Sequence, residues 1–264
     1  MKYTLITGAS RGIGEAMARY CASKKMNLIL VARTKEKLQE LAYKLSEEFN
    51  IDIRIYNADL TNPDVALNLY NWCKSNNLSV NILINNAGIG LYGRFETLSI
   101  AEQLKLIQIN QIAVVALTHQ FLPMLKEEGK SYILNVASTA SYQAIPYMSI
   151  YAATQSFILS FSLAIRNELK NNNIDVSCLC PGPTATDFFD RSGLESLPVN
   201  SHEIKMTSEE VAEAAIEGML DNVAEIIPGT SNAIGAYFSK LFPNKFIVKT
   251  VSSLFAPKTE LKKI

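Results

Sequence analysis

Charge of one sign is missing from this sequence. Its 25 basic and 25 acidic side chains cancel, so no overall field marks nucleic acid or an anionic membrane as a general partner. Histidine is scarce: His119 and His202 stand far apart, outside any metal-ligand spacing and away from a recognisable nucleophile. That argues against a metal centre and against hydrolysis of the Ser-His kind. The four cysteines, Cys21, Cys73, Cys178 and Cys180, are scattered, and the last two fall in an apolar, strand-like run suited to core packing. A reduced, cytoplasmic setting is the expectation. Neither a signal peptide nor an apolar run of membrane-spanning length is read, and no linker of biased composition interrupts the 264 residues. One domain over residues 1–264 is expected, with 48% hydrophobic residues to fill its core.

The organising stretch lies at the start. Residues 3–7 form a short, apolar, β-branched run that reads as a buried strand, and Gly8-Ala9-Ser10-Arg11-Gly12-Ile13-Gly14 follows directly. Beyond it, Ile13, Ala16, Met17, Tyr20 and Cys21 recur at helical spacing. A glycine turn between strand and helix lets backbone approach a bulky anion, and the exposed N–H groups and dipole of the new helix favour negative charge. Strand, turn and helix together make a seat for a diphosphate. With Thr7 in front, the pattern Thr7-Gly8-x-x-x-Gly12-x-Gly14 resembles the cofactor turn of the short-chain dehydrogenase/reductase family.

Further motifs carry the same resemblance in order. A fourth strand over 80–84 ends in Asn85-Asn86-Ala87-Gly88, similar to the family's Asn-Asn-Ala-Gly signature. Small residues there permit close approach of a cofactor, and the asparagines offer donors and acceptors where the sheet ladder stops. Ser99 to Glu102 reads as a capping box opening one long helix to about Lys126, with Asn110 inside it. A fifth strand over 131–136 is followed by Ser138, then by Tyr151 at the start of an apolar helix reaching about Leu169. A sixth strand over 175–179 leads into Pro181-Gly182-Pro183-Thr184-Ala185-Thr186.

The resemblance implies an α/β, doubly wound Rossmann-type fold: a mostly parallel seven-stranded sheet with helices on both faces. It implies that Ser138 holds a carbonyl oxygen, Tyr151 moves the proton and Asn110 supports the relay. It places cofactor contacts at Gly8, Ser10, Arg11, Gly12, Ile13, Gly14, Asp59, Leu60, Asn86, Ala87, Gly88, Pro181, Gly182, Thr184 and Thr186, beside Tyr151 and position 155. The second strand, over 27–32, ends without the acidic residue that selects the free 2′-hydroxyl of NAD. Arg33 stands there instead, with Arg11 in the glycine loop, so NADP(H) is expected over NAD(H).

One residue departs from the pattern. The family carries lysine four residues after the tyrosine, and this chain carries Gln155. An amide can hydrogen-bond a ribose, but it brings no charge to lower the tyrosine pKa from about 10. The expected function is NADP(H)-dependent interconversion of a carbonyl and an alcohol on a small apolar or amphipathic molecule, with impaired turnover. The competing reading is an NADP(H)-binding protein that acts as a sensor or scaffold.

The remaining expectations concern the edges of the site. Thr61 or Asn62 is read as the cap of the third helix. Residues 187–206 read as a substrate lid, with Phe188, Phe189 and Leu194 lining a pocket together with Ile145, Tyr147 and Met148. Thr207 to Glu210 caps a later helix, and 225–227 gives a last short strand. The apolar extension near 229–264 covers the pocket, builds a subunit contact or rests on a membrane surface, in that order of expectation. A homodimer or homotetramer is expected, with the helices at 99–126 and 151–169 as candidate interfaces.

Overall fold

The structure is a computed structural model and describes residues 1–188, Ser192 and 206–256. Six strands, β1 (Lys2–Thr7), β2 (Asn27–Ala32), β3 (Ile53–Asn57), β4 (Ser79–Asn85), β5 (Ser131–Val136) and β6 (Ile174–Leu179), alternate with helices. A small parallel pair, β7 (Thr184–Ala185) and β8 (Met206–Thr207), stands apart, and β9 (Glu225–Ile226) completes the main sheet. Its order is β3-β2-β1-β4-β5-β6-β9, and every pairing is parallel. In register, Leu5 lies between Ile29 and Leu83. Leu5, Ile29, Leu83 and Ile84 are fully buried, as expected for parallel strands covered on both faces.

Helices α1 (Gly12–Ser23), α2 (Lys35–Phe49), α3 (Val65–Ser75), α4 (Ile100–Ile107), α5 (Ala113–Glu127), α6 (Ser149–Leu169) and α7 (Ser208–Leu220) cover the sheet. One core joins Ala16, Met17, Leu38, Leu45, Val211 and Ile216 of α1, α2 and α7 to the sheet. The opposite core joins Leu69, Leu117, Phe121 and Leu125 of α3 and α5. Each large apolar side chain buried this way contributes about 1.5–3 kcal/mol. Successive strands run outward from β1 to β3 and then restart at β4, so the order reverses between β1 and β4. In open parallel sheets a ligand crevice forms at such a point, outside the carboxyl ends of the strands.

Several local readings need correction. The helix expected from Ser99 to Lys126 is continuous, but Gln108–Ile112 take π geometry between α4 and α5. Ser99 occupies the cap position without making a side-chain cap bond. The span Ile100–Glu127 is long and apolar enough to cross a bilayer by length and composition, a run not recognised in the sequence. Here its α5 half packs on the sheet through Ala113, Leu117, Phe121, Met124 and Leu125, while Ile100, Leu104 and Ile112 are exposed. Helix α3 starts after Asp64, not at Thr61 or Asn62; Asp59 and Asn62 accept from the Thr61 and Asp64 N–H groups in the preceding turns. The alternating apolar residues over 51–56 predict a third strand from Ile51, but the strand begins at Ile53. Thr207 and Glu210 do form a full capping box at α7.

The far end of α6 is pinned by Arg166, which donates to Val176 O at 2.6 Å and to Asn222 O at 2.7 Å. The extension forms two helices, α8 (Thr230–Leu241) and α9 (Asn244–Phe255), separated at Phe242 and Pro243.

Candidate active site

The carboxyl ends of β1, β4 and β5 open onto a cleft of about 860 Å³. Thr7, buried beside it, ties two of its lining loops together. The Thr7 hydroxyl accepts from the N–H groups of Asn86 at 3.0 Å and Ala87 at 3.1 Å and donates to Ile84 O at 3.3 Å. Asn86 Nδ2 returns a bond to Thr7 O at 2.8 Å. The two loops are thereby one unit, and they touch closely enough to dictate glycine. Gly8 has φ +68°, and a Cβ there would stand 2.9 Å from Ala87 Cα. A Cβ on Gly14 would stand 2.4 Å from both Gly8 O and Asn86 Nδ2. Asn85 points into the sheet instead, donating to Thr118 at 3.1 Å and Asn135 at 2.9 Å.

Arg11 caps α1 without a side-chain cap bond, so the first-turn N–H groups of the helix remain available to an anion. Gly12, Ile13 and Gly14 line the cleft at that end. Arg33, at the end of β2, lines it as well and is exposed. Asn57 Nδ2 donates to the carbonyls of Ala32 at 3.1 Å and Arg33 at 2.6 Å, fixing the backbone from which Arg33 projects. Asp59 lies across from it. Burial pushes the Asp59 carboxyl up, but hydrogen bonds from Thr61 and the charges of Arg33 and Lys105 bring it below the usual range.

At the other end stand Ser138 and Tyr151. Ser138 Oγ accepts from Ala140 N–H at 3.1 Å across the short turn Thr139–Tyr142, which leaves the hydroxyl proton to be given elsewhere. Burial raises Tyr151 to a pKa of about 12, a hydrogen bond from Ser138 lowers it, and the neighbouring Cys180 thiol raises it further. No cation is among those causes. Gln155, one turn along α6, is buried, and its Nε2 donates to Thr154 Oγ1 at 3.4 Å. Asn110 Nδ2 donates to the same Thr154 oxygen at 3.2 Å, and that hydroxyl donates to Tyr151 O at 2.8 Å.

The residues expected to hold the cofactor or carry the reaction line this one cleft, including Asn110, Ser138, Tyr151, Gln155, Arg33, Pro181, Gly182, Thr184 and Thr186. Ile145, Met148 and Phe188 also line it, and the Phe188 ring lies 5.7 Å from that of Tyr151. Tyr147 is not part of the lining. It takes a left-handed backbone with φ 67°, and its carbonyl accepts from Gly93 N–H at 2.8 Å. Phe189 and Leu194 lie outside the described residues, as does most of the span read as a lid. Thr154 and Lys105 carried no signal in the sequence, because no motif distinguishes them from ordinary helix residues. Leu254 and Phe255 of α9 close the cleft's apolar end, where Tyr92 Oη donates to Phe255 O at 2.7 Å.

Comparison with known proteins bears on this arrangement. A family model described as short chain dehydrogenase matches residues 2–195. The very-long-chain 3-oxoacyl-CoA reductase of Mus musculus is 30% identical over 191 residues, 70% of this chain and 60% of that protein. The match thus spans less than two thirds of the relative's length. A short-chain dehydrogenase from Sphingobium yanoikuyae, solved in complex with NADPH, is 30% identical with a TM-score of 0.81, covering 96% of this chain and 95% of the other. A member from Burkholderia phymatum, solved with NAD, superposes with a TM-score of 0.81 at 22% identity, over 94% and 95% of the two chains, which bears on fold alone.

Proposed function

Because this chain belongs to the short-chain dehydrogenase family of oxidoreductases acting on CH–OH groups, we propose that it interconverts a carbonyl and an alcohol on an apolar or amphipathic substrate, using NADP(H). The observation that carries this reading is the placement of Ser138, Tyr151 and Asn110 in the same cleft as the glycine turn. The residues present suit a dinucleotide. The glycine turn leaves a helix N-terminus facing the cleft, Arg33 and Arg11 offer cations for a 2′-phosphate, and Asp59 and Leu60 line the same cleft and would contact an adenine. The NADPH of the Sphingobium relative supports the choice of cofactor.

A bound nicotinamide supplies or accepts the hydride. The chain supplies the rest. Ser138, its oxygen already held by Ala140 N–H, would donate a hydrogen bond to a substrate oxygen and fix that oxygen beside Tyr151. Tyr151 transfers the proton that accompanies the hydride. Asn110 and Thr154 hold the helix turn carrying Tyr151 against the loop at Ile89. Phe188, Ile145 and Met148 form an apolar wall that favours hydrophobic substrate bodies.

Gln155 leaves that proton transfer without a neighbouring charge. One unit charge about 4 Å away is worth up to about 4 kcal/mol at an effective dielectric of 20. Losing about 2–4 kcal/mol in the transition state slows chemistry roughly 30-fold to 1,000-fold. A second reading, cofactor binding without significant turnover, is favoured by the same residue and by the Tyr151 pKa of about 12.

The test is NADPH oxidation over a panel of ketones by this protein and by Gln155→Lys, with NADPH binding measured in both. A reductase gives slow turnover that the lysine accelerates. Binding in both proteins with turnover in neither supports the sensor or scaffold. A cytoplasmic location and a homodimer or homotetramer through the exposed Leu104, Ile112 and Phe157 belong to the same proposal.

A further inference from the structure

Helix α8 is built inside out. Its small residues Ala236 and Ser239 are buried, whereas Ile234, Tyr237, Phe238 and Leu241 are exposed, Leu241 by 78%. Those four recur at intervals of three, one and three residues, which is one stripe on a helix. The stripe continues through aromatic contacts, Phe238 to Phe242 at 4.4 Å between ring centroids and Phe242 to Phe246 at 5.7 Å. It ends at Leu254, which is 48% exposed and also lines the cleft. A continuous apolar face of this kind, leading into a site, marks a surface that meets something apolar.

Charge identifies what it meets. The chain as a whole is neutral, yet residues 230–264 contain six lysines and a single acid, Glu260. Among the described residues Lys245 and Lys249 are exposed on α9, the helix that carries Phe246 and Leu254. A two-fold contact between copies would set this patch against itself and bring like charges together. An anionic lipid surface matches both features, since apolar side chains enter the acyl boundary while lysines meet the headgroups.

We propose that α8 and α9 dock on an anionic lipid surface, placing the apolar mouth of the cleft at the membrane boundary. Resting on the carbonyl-reductase reading, the substrate class becomes an amphipathic ketone or alcohol that reaches Tyr151 from the lipid past Leu254 and Phe255.

The test for docking needs no turnover, so its failure is distinct from failure of the reductase reading. The intact protein is sedimented with vesicles of phosphatidylcholine alone and of phosphatidylcholine mixed with phosphatidylserine. Binding is expected to the mixed vesicles, released by salt. Replacing Lys245→Gln and Lys249→Gln together lowers that affinity about 30-fold. Phe238→Asp with Leu241→Asp abolishes it while thermal midpoint and NADPH affinity stay unchanged. Absence of binding to both vesicles, or binding indifferent to these substitutions, overturns the proposal. So does a change of oligomeric state in the aspartate variant without vesicle binding by the parent, which would make the face a contact between copies. For the substrate half, in the Gln155→Lys background, the aspartate pair slows reduction of a vesicle-embedded ketone and leaves a water-soluble ketone unaffected; equal rates on both overturn it.

Discussion

Asn110 holds Ile89 by both backbone groups: its Oδ1 accepts from the Ile89 N–H at 3.0 Å and its Nδ2 donates to the Ile89 carbonyl at 3.0 Å. The side chain thus acts as an added peptide unit that closes the loop after Gly88 against the π segment of the long helix. Asn110→Leu breaks both bonds and leaves the Ile89 groups unpaired, at a cost of about 1–3 kcal/mol. A lowered thermal midpoint is expected, together with weaker NADPH binding, since the loop contributes Ala87 and Gly88 to the cleft.

In the proposed carbonyl–alcohol interconversion, the high Tyr151 pKa would separate the two directions of the reaction. Carbonyl reduction uses the protonated hydroxyl, which persists throughout the neutral range when the pKa is about 12. Its rate is expected to be nearly independent of pH there. Alcohol oxidation uses the deprotonated form and should climb about tenfold per pH unit on the alkaline side. Gln155→Lys moves that climb to lower pH, which initial rates across a buffer series will show.

Stability should fall in alkali. Burial raises the Cys21 and Cys73 thiols from 9.0 to about 12, and burial likewise raises Tyr151 from 10.0 to about 12. The unfolded chain gives up these protons first, so between pH 9 and 12 the native state holds more of them and loses stability as pH rises. Below pH 9 the three groups contribute no slope. Thermal melts across this window are the measurement, and Cys21→Ala should flatten the decline.

Gly14→Ala is expected to damage the cofactor seat more than any surface change near it. The added methyl would stand 2.4 Å from Gly8 O, a backbone atom that cannot swing aside. Overpacking of this kind costs about 1–3 kcal/mol, enough to weaken NADPH binding by roughly tenfold or more in a fluorescence titration.

Arg33→Ala tests the choice between cofactors. A charge-assisted bond to a phosphate is worth about 1.5–3 kcal/mol, so NADPH affinity should drop roughly tenfold to 100-fold. NADH affinity should stay nearly constant. Equal loss for both cofactors would show that Arg33 does not read the 2′-phosphate.

The sheet and the cleft were legible because they rest on local chemistry. Gly8 and Gly14 are required by backbone contacts shorter than any side chain allows, and the apolar runs of β1, β2 and β4 record strands covered on both faces. Less was legible where tertiary contacts decide. Nothing in Gln108-Ile109-Asn110 announces a π turn, because its reason is the loop at Ile89, distant in sequence. Ser99 and Glu102 have the spacing of a capping box, yet Ser99 makes no side-chain cap bond. Tyr147, read as a pocket residue, bonds through its backbone to Gly93 instead. The extension was readable as apolar but not as helices turned outward, since composition alone does not say which face a neighbour covers.

Arg166 ties the far end of α6 to β6 and to the end of α7, so Tyr151 and Gln155 ride on a beam clamped at its opposite end. The walls facing them, at Phe188, Leu254 and Phe255, come from segments joined to the chain elsewhere. In the proposed reaction, accuracy of proton transfer and breadth of substrate would therefore be vested in different parts of the molecule. Successive replacements in the walls would then retune what is admitted while Tyr151 and Gln155 keep their places.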